Sequence, residues 1–183
     1  MKALAISGGR NPQGQTARAT GAVLDGYLQG GGQVEQVFLP AMTIEHCRQC
    51  GNDGWGTCRT QNMCCITSDD FADLVEKMSG INTLILATPV YYADLSESMK
   101  AFTDRLRRIS AGRKRFPNIA CVGLCVAGGG GGGAIACCEK LERTAHHCDM
   151  NVVDMIAVRR QNLDAKIESL KLVGQWLAGT RAV

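Results

Sequence analysis

Five short apolar runs recur along this chain, and segments with helical spacing fill most of the sequence between them. Thr83–Ala87 and Ile119–Ala127 have almost no polar interruption, as is typical of strands that are buried on both faces. Strands that alternate with helices predict a parallel sheet with helices on both sides. The five predicted strands are Leu4–Ile6, Val34–Leu39, Thr83–Ala87, Ile119–Ala127 and Val152–Ala157.

The number of strands and the chain length narrow the fold further. A chain of 183 residues has the size of one domain. Five parallel strands favour the flavodoxin-like α/β sandwich with three layers and strand order 2-1-3-4-5, in which a ligand binds at the carboxyl ends of strands one, three and four. We therefore expect a single domain over residues 1–183, with a cysteine-rich segment, residues 42–68, inserted after strand two. The three loops at the ligand edge are Ser7–Thr16, Thr88–Asp94 and Ala127–Ala134.

Composition excludes several kinds of partner. The net charge of +3 is too small to indicate nucleic acid or a membrane surface, and 5% aromatic residues leave little for stacking on single strands. Apolar runs are too short to cross a membrane, and Met1 and Lys2 lead straight into the first strand without a signal peptide. We expect a cytoplasmic protein, in which ten cysteines are metal ligands or redox groups rather than disulfides.

The loop Ser7–Thr16 has the features of a phosphate-binding loop. It joins a buried strand to a helix N-terminus, where unpaired main-chain N–H groups and the helix dipole both favour an anion. Arg10 adds a fixed charge, and Ser7, Gln15 and Thr16 add neutral donors. The loop lacks the glycine spacing of nucleoside-triphosphate and dinucleotide folds. An ordinary strand-to-helix turn is the alternative interpretation.

Several motifs extend over nearly the whole chain. They are Ser7-Gly8-Gly9-Arg10 with Gln15-Thr16, Cys47-x2-Cys50, Cys65-Ile66-x2-Asp69-Asp70-Phe71, Thr88-Pro89-Val90-Tyr91-Tyr92, Ser96-x2-Met99-Lys100-Ala101-Phe102-x-Asp104-Arg105 and the glycine run Gly128–Gly133. With these motifs the chain resembles the NADPH-dependent FMN reductases, specifically the iron–sulfur flavoprotein branch of the flavodoxin-like fold.

The resemblance implies that FMN binds at the three loops. Glycine lets the main chain approach a flat ring closely, and main-chain N–H groups near the ring stabilise a reduced, anionic flavin. Loop packing for the tyrosines and a flexible linker for the glycines are the alternatives. The implied phosphate contacts are Ser7, Arg10, Gln15 and Thr16. The implied ring contacts are Pro89, Val90, Tyr91, Tyr92, Ala127, Gly128, Gly129 and Gly130.

The cysteine-rich segment reads Cys47-x2-Cys50-x7-Cys58-x5-Cys64-Cys65. A Cys-x2-Cys pair directs two thiolates at one ion or cluster, and later cysteines complete four sulfur ligands. In the family's compact motif a third cysteine would stand at Asp53, and the last one corresponds to Cys65. The predicted ligands are Cys47, Cys50, Cys58 and Cys65, with Cys64 as an alternate. A [4Fe–4S] cluster is the first choice and structural zinc the second, while metal-free thiols on a dimer-forming loop are the third.

Two further groups of residues have open interpretations. Cys121 and Cys125 are predicted to be buried small apolar residues, whereas Cys137 and Cys138 open a helix, where they either pack or take part in redox chemistry. The basic patch over residues 105–115 either attracts the 2′-phosphate of NADPH or an acidic partner, or is a solvated helix end, which we favour. Asp104 and Arg105 are candidates for ion pairs across helices or subunits.

The function that the resemblance implies is a flavin-dependent oxidoreductase. NAD(P)H delivers a hydride to FMN, and the electrons then pass to a second acceptor, with a cluster as single-electron relay. A related possibility is a flavin dehydrogenase that oxidises a small organic substrate and passes the electrons on through the cluster. Such chemistry requires no strong protein acid or base, so no catalytic residue is predicted. The alternatives are an electron carrier without its own substrate and a zinc-stabilised FMN-binding redox module. The resemblance also implies a homodimer or homotetramer.

Overall fold

The structure, a computed structural model, describes residues 1–51 and 53–179. Asn52, inside the predicted cysteine-rich segment, and residues 180–183, at the end of the predicted domain, lie outside the described residues. Five parallel strands form one sheet in the order β2-β1-β3-β4-β5, which confirms the predicted flavodoxin-like fold. The strands are β1 (Lys2–Ser7), β2 (Gln33–Phe38), β3 (Thr83–Pro89), β4 (Ala120–Ala127) and β5 (Asn151–Arg159).

Helices cover both faces of this sheet. One face packs against the first and last helices, and the other packs against the helices between them. None of the helices in the described part of the chain is long and apolar enough to cross a membrane. The helices are α1 (Gln15–Gln29), α2 (Thr57–Thr60), α3 (Phe71–Lys77), α4 (Glu97–Ser110), α5 (Ala134–His147) and α6 (Leu163–Gly179), with short 3-10 turns at Leu39–Ala41 and Arg160–Asn162.

The central strands separate two apolar cores, because successive side chains of a strand point to opposite faces. In β4, Val122 and Leu124 face the core under α1 and α6. Cys121 and Cys125 face the opposite core, which contains Phe102 of α4. Both thiols are fully buried, so the sequence prediction for these two cysteines is confirmed.

Two local predictions need correction. Pro89, predicted to lie in a loop, is the last residue of β3, where it pairs with Val126. A proline is tolerated at this strand end, where the ladder continues through the N–H of Val90 to the Val126 carbonyl at 3.0 Å. The sequence also predicts that Asp69 and Asp70 cap the helix that begins at Phe71. Asp70 does precede α3, but its side chain makes no capping bond and instead accepts the N–H of Thr43 at 2.7 Å.

Candidate functional site

Three loops at the carboxyl ends of β1, β3 and β4 enclose an open cavity of about 830 Å³. This is the edge at which ligands bind in open α/β sheets, and the volume is that of a cofactor site. The lining residues are Gly9, Arg10, Asn11, Gly14, Gln15, Thr16, Pro89, Val90, Tyr91, Tyr92, Val126, Ala127, Gly128, Gly129, Gly130 and Gly132.

The first loop is fastened to β3 and α4 at Gly8. Its N–H donates to the carbonyl of Ala87 at 2.8 Å, and its carbonyl accepts the hydroxyl of Ser98 at 3.3 Å. A side chain at Gly8 would collide with the hydroxyl of Ser96, so only glycine fits this approach. Ser7 is fully buried below the cavity, and its hydroxyl accepts the N–H of Gly9 at 3.3 Å.

The N-terminus of α1 faces this cavity without a capping side chain. Gly14 occupies the N-cap position and provides no side-chain hydrogen bond, so side chains leave the first-turn N–H groups open to an anion. At the rim, Arg10 forms an exposed ion pair with Glu97 at 3.4 Å. An anion that enters here would therefore meet the helix N-terminus and one exposed positive charge.

The second loop forms a tight two-residue turn. The main chains of Tyr91 and Asp94 exchange hydrogen bonds of 3.0 and 2.9 Å, and the two residues between them have positive φ angles, 51° for Tyr92 and 62° for Ala93. Bulky residues rarely adopt such angles, and backbone strain of this kind occurs preferentially at functional sites. Tyr92 is fully exposed at the cavity rim.

The glycine run forms the third wall. Its first turn is closed by the N–H of Gly131, which donates to the carbonyl of Gly128 at 2.8 Å. The side chain of Gln161 donates to the carbonyl of Gly129 at 2.9 Å and thereby ties the run to the turn after β5. Side chains added at four of these positions would meet no protein atom within 4 Å, namely Gly128, Gly129, Gly130 and Gly132. The space beside them is open to a ligand.

A second, smaller cavity of about 20 Å³ gathers the cysteines of the inserted segment. It is lined by five thiols, those of Cys47, Cys50, Cys58, Cys64 and Cys65. Within residues 1–51 and 53–179, no three His, Cys, Asp or Glu side chains stand where they would hold a single metal ion. The five cysteines therefore surround one space, but their thiols are not positioned to coordinate a single metal ion.

Arg105 of α4 forms one wall of this cysteine cavity, with its side chain 1% exposed. Its Nε–H donates to the sulfur of Cys64 at 3.2 Å. The two terminal nitrogens donate to the carbonyls of Glu45 (3.1 Å) and Ile66 (3.2 Å) and to both carboxylate oxygens of Asp69. Every N–H of the guanidinium thus has an acceptor, which fixes its orientation.

Further arginines of the predicted basic patch bind main-chain carbonyls of the same segment. Arg108 donates to Gly54 at 2.9 Å and stacks over the ring of Trp55 at 4.1 Å. Arg113 reaches Cys58 at 2.7 Å and Arg59 at 3.0 Å, and Arg115 reaches Asn62 at 2.8 Å. The interpretation as a solvated helix end is therefore wrong for Arg105, and the patch instead holds the cysteine segment against α4. Asp104 pairs within its helix, with Lys100.

Hydrogen bonds, charges and burial shift the pKa values of three groups in or beside this cavity. Burial raises the pKa of Asp69, but the hydrogen bonds and charge of Arg105, together with the main-chain N–H groups of Glu45 and Phe71, outweigh burial and hold that pKa below its usual value. The Thr57 hydroxyl, which donates to the sulfur of Cys65 at 3.3 Å, lowers the pKa of Cys65, although burial opposes this effect. The bond between the Cys50 and Cys65 thiols raises the pKa of Cys50. Cys65 is thus the more readily ionised of the two.

A family model for the NADPH-dependent FMN reductases matches residues 1–162. The chain belongs to the NADPH-dependent FMN reductase family. This membership confirms the resemblance drawn from the sequence motifs. The loops that carried the resemblance are also those that enclose the large cavity.

Individual relatives of this chain add detail. An iron–sulfur flavoprotein of Archaeoglobus fulgidus is 32% identical over 106 residues, which are 58% of this chain and 46% of that protein. One of Methanosarcina thermophila is 31% identical over 105 residues, or 57% of this chain and 52% of that protein. The matched part spans about half the length of these relatives. An FMN-dependent NADH-azoreductase of Bacillus anthracis, solved with FMN, shares the fold at a TM-score of 0.71 and 11% identity, over 97% of this chain and 100% of that one.

The reductase fold brings the predicted residues together with one exception. All predicted flavin-binding residues line the large cavity except Ser7, which lies below it and supports the loop. The four predicted ligands Cys47, Cys50, Cys58 and Cys65 share the second cavity with their alternate Cys64. Sequence reasoning missed lining residues that adjoin the predicted ones, and the nearby glycines were the available signal. They are Gly9, Asn11, Gly14, Val126 and Gly132.

Proposed function

We propose that this chain is a flavin-dependent oxidoreductase that binds FMN in the large cavity. FMN held there would supply the acceptance of a hydride from NAD(P)H and the passage of electrons to a second acceptor. The observation that carries the proposal is the meeting of an uncapped helix N-terminus and a glycine wall in one cavity of about 830 Å³. The first feature suits a phosphate, and the second suits the close approach of a flat ring.

The residues around the cavity fit FMN in separate ways. The first-turn N–H groups of α1, with Thr16 and Arg10, would hold the phosphate. Main-chain atoms of Gly128–Gly130 and of the Pro89–Tyr92 loop would hold the ring edges, because open space lies beside these glycines. No general acid or base is assigned, since hydride transfer requires only that donor and acceptor be oriented and shielded from water.

The cysteine cavity extends the proposal to a [4Fe–4S] cluster, with zinc or no metal as alternatives. The cluster supplies transfer of single electrons when bound. A thiol-rich donor set without competing carboxylates suits such a cluster, and Cys47, Cys50 and Cys65 with Cys58 or Cys64 would provide four thiolates. A cavity of about 20 Å³ must widen to admit it, which the glycines at 51, 54 and 56 facilitate. The arginines of α4 would offset the negative charge.

The test is an anaerobic purification followed by a visible spectrum and by assays of FMN, iron, zinc and acid-labile sulfide on one sample. We expect flavin bands in the visible spectrum and about 4 iron and 4 sulfide atoms per chain. Addition of NADH or NADPH should bleach the flavin bands. FMN with zinc or no metal would remove the cluster and leave a plain flavin reductase. FMN without any NAD(P)H turnover would indicate an electron carrier. A protein that binds no FMN would overturn the proposal.

We also propose that the chain assembles with copies of itself and that the reduced flavin passes its electrons to a separate acceptor. The family resemblance favours a homodimer or homotetramer, and the exposed side chains of Tyr92 at the cavity and of Ile135 in the first turn of α5 suit such a contact. Sedimentation of the FMN-loaded protein would test the assembly. Quinones, azo dyes and free FMN as acceptors would test the reaction after the flavin is reduced.

A further inference from the structure

The cysteine cavity holds one thiol more than a four-thiolate site requires. Cys47, Cys50 and Cys65 occupy the places that the sequence motif assigns. Cys58 and Cys64 compete for the remaining place, and their surroundings differ in ways that bear on this choice.

The sulfur of Cys64 is the target of a charged hydrogen-bond donor. Arg105 directs its Nε–H at this sulfur at 3.2 Å. Because the other N–H groups of Arg105 are held by Asp69 and by two main-chain carbonyls, this donor has no freedom to turn elsewhere. A donor with a positive charge stabilises a thiolate, and N–H bonds to ligand sulfurs are a means by which proteins hold and tune iron–sulfur clusters.

Cys58 takes part in this region mainly through its main chain. Its carbonyl accepts a hydrogen bond from Arg113 at 2.7 Å. The side chain is 8% exposed and belongs to the apolar core on this side of the sheet. These contacts suit a residue that anchors the segment rather than one that ligates.

The remaining thiols lie near Cys64 as well. Cys47, Cys50 and Cys65 line the same small cavity as Cys64. These four residues therefore surround one space, and Arg105 donates to the sulfur of one of them.

We propose that Cys64, rather than Cys58, completes the thiolate set with Cys47, Cys50 and Cys65, and that Arg105 is the positioning residue for its sulfur. This assignment rests on the proposed cluster and replaces Cys58 in the set predicted from the sequence. Each thiol that becomes a ligand releases its proton to solvent.

The ligand choice is tested with Cys64→Ser and the matched variant Cys58→Ser. Both proteins and the wild type are reconstituted anaerobically with iron and sulfide, and iron, sulfide and FMN are measured. As an independent probe of thiolate ligation, Co²⁺ is added to the chelator-treated proteins and the sulfur-to-cobalt absorption is recorded. We expect Cys64→Ser to lose most of the iron and part of the cobalt absorption, while Cys58→Ser retains wild-type values and both variants retain FMN.

The role of Arg105 is tested with Arg105→Lys against Arg113→Lys. Both arginines hold the segment through main-chain carbonyls, but only Arg105 donates to a sulfur. Loss of that bond shifts the midpoint potential of the cluster to more negative values, because a hydrogen bond to a ligand sulfur stabilises the reduced state. Arg113→Lys should leave the potential unchanged. Thermal melts of both variants show whether each is folded.

The outcomes separate this assignment from the proposed function. Loss of iron in Cys58→Ser with retention in Cys64→Ser overturns the assignment alone, and so does retention of iron in both variants. Equal shifts of potential in the two arginine variants overturn the role of Arg105. A wild-type protein with FMN that binds neither iron nor cobalt overturns the cluster and the assignment together. If Arg105→Lys does not fold, the two serine variants still decide the ligand.

Discussion

The side-chain amide of Gln161 donates a hydrogen bond of 2.9 Å to the main-chain carbonyl of Gly129. Gln161 lies in the turn after β5, so this bond connects the edge of the sheet to the middle of the glycine run. Glycine loses more conformational freedom on ordering than any other residue, and six consecutive glycines have few internal means of holding one shape. The loop that would surround the flavin ring is thus ordered partly from outside.

Replacing Gln161 by Ala should weaken FMN binding. A partly exposed hydrogen bond contributes somewhat less than 1 kcal/mol, so we expect the Kd for FMN to rise about threefold. The measurement is a fluorescence titration of the apoprotein with FMN. Gln175→Ala is the matched control, because its amide bonds to Gln29 and joins α6 to α1. Equal Kd values for the two variants would contradict the role of Gln161.

The ion pair between Arg10 and Glu97 leads us to expect that a surface substitution raises the affinity for FMN. Glu97 competes with a phosphate for Arg10, and both side chains are more than 70% exposed. Glu97→Gln should therefore tighten FMN binding by about twofold at low salt, as suits an exposed pair, and this gain should vanish at high salt. Arg10→Gln should weaken binding.

The control for this charge effect is Glu168→Gln, which removes an exposed ion pair with Lys171 on α6. It should leave the Kd for FMN unchanged. A Glu97→Gln protein with the same salt dependence as wild type would exclude competition at Arg10.

The sequence predicts the large cavity better than it predicts the surroundings of the cysteine cavity. The strands and the three loops followed from apolar runs such as Thr83–Ala87 and from their Gly and Pro boundaries, because these signals are local. The position of Ser7 below the cavity did not, since it depends on a bond of its hydroxyl to Gly9 rather than on residue type.

The role of the basic patch was hidden from the sequence for a physical reason. Charged residues at a helix end are usually solvated, and that is the default interpretation. Arg105 is buried only because Asp69, 36 residues earlier, supplies its counter-charge and two carbonyls accept its other N–H groups. Pairing over such a distance is a property of the fold and has no local signature.

This buried pair predicts a large loss of stability when Asp69 is changed to Asn. The side chains of Asp69 and Arg105 are both 1% exposed, and a buried charge left without its partner costs about 3 kcal/mol or more. Urea unfolding at neutral pH measures the loss. Asp73→Asn, at an exposed position of α3, should change the free energy of unfolding by less than about 0.5 kcal/mol. Similar losses in both variants would contradict the prediction.

The same pair fixes the direction of a pH effect. Because the pKa of Asp69 is lower in the folded protein than in the unfolded chain, its stabilisation is fully present above the ordinary aspartate value of about 4 and is lost as the pH falls through the lower folded value. The difference in stability between wild type and Asp69→Asn should therefore be constant near neutral pH and shrink in acid. A difference that grows on acidification would contradict this sign.

The cysteines predict an order of alkylation in chelator-treated, metal-free protein. Burial raises the pKa of Cys121 and Cys148 to about 12, so at pH 8 these enclosed thiols have almost no thiolate. Cys65 is exposed and its pKa is lowered by Thr57, whereas the pKa of Cys50 is raised by Cys65. Iodoacetamide should modify Cys65 first and Cys50 later, as peptide mass spectrometry will show. Cys121 and Cys148 should react only after unfolding, and their modification in native protein at the rate of Cys65 would contradict the full burial of Cys121 in β4 and of Cys148 just after α5.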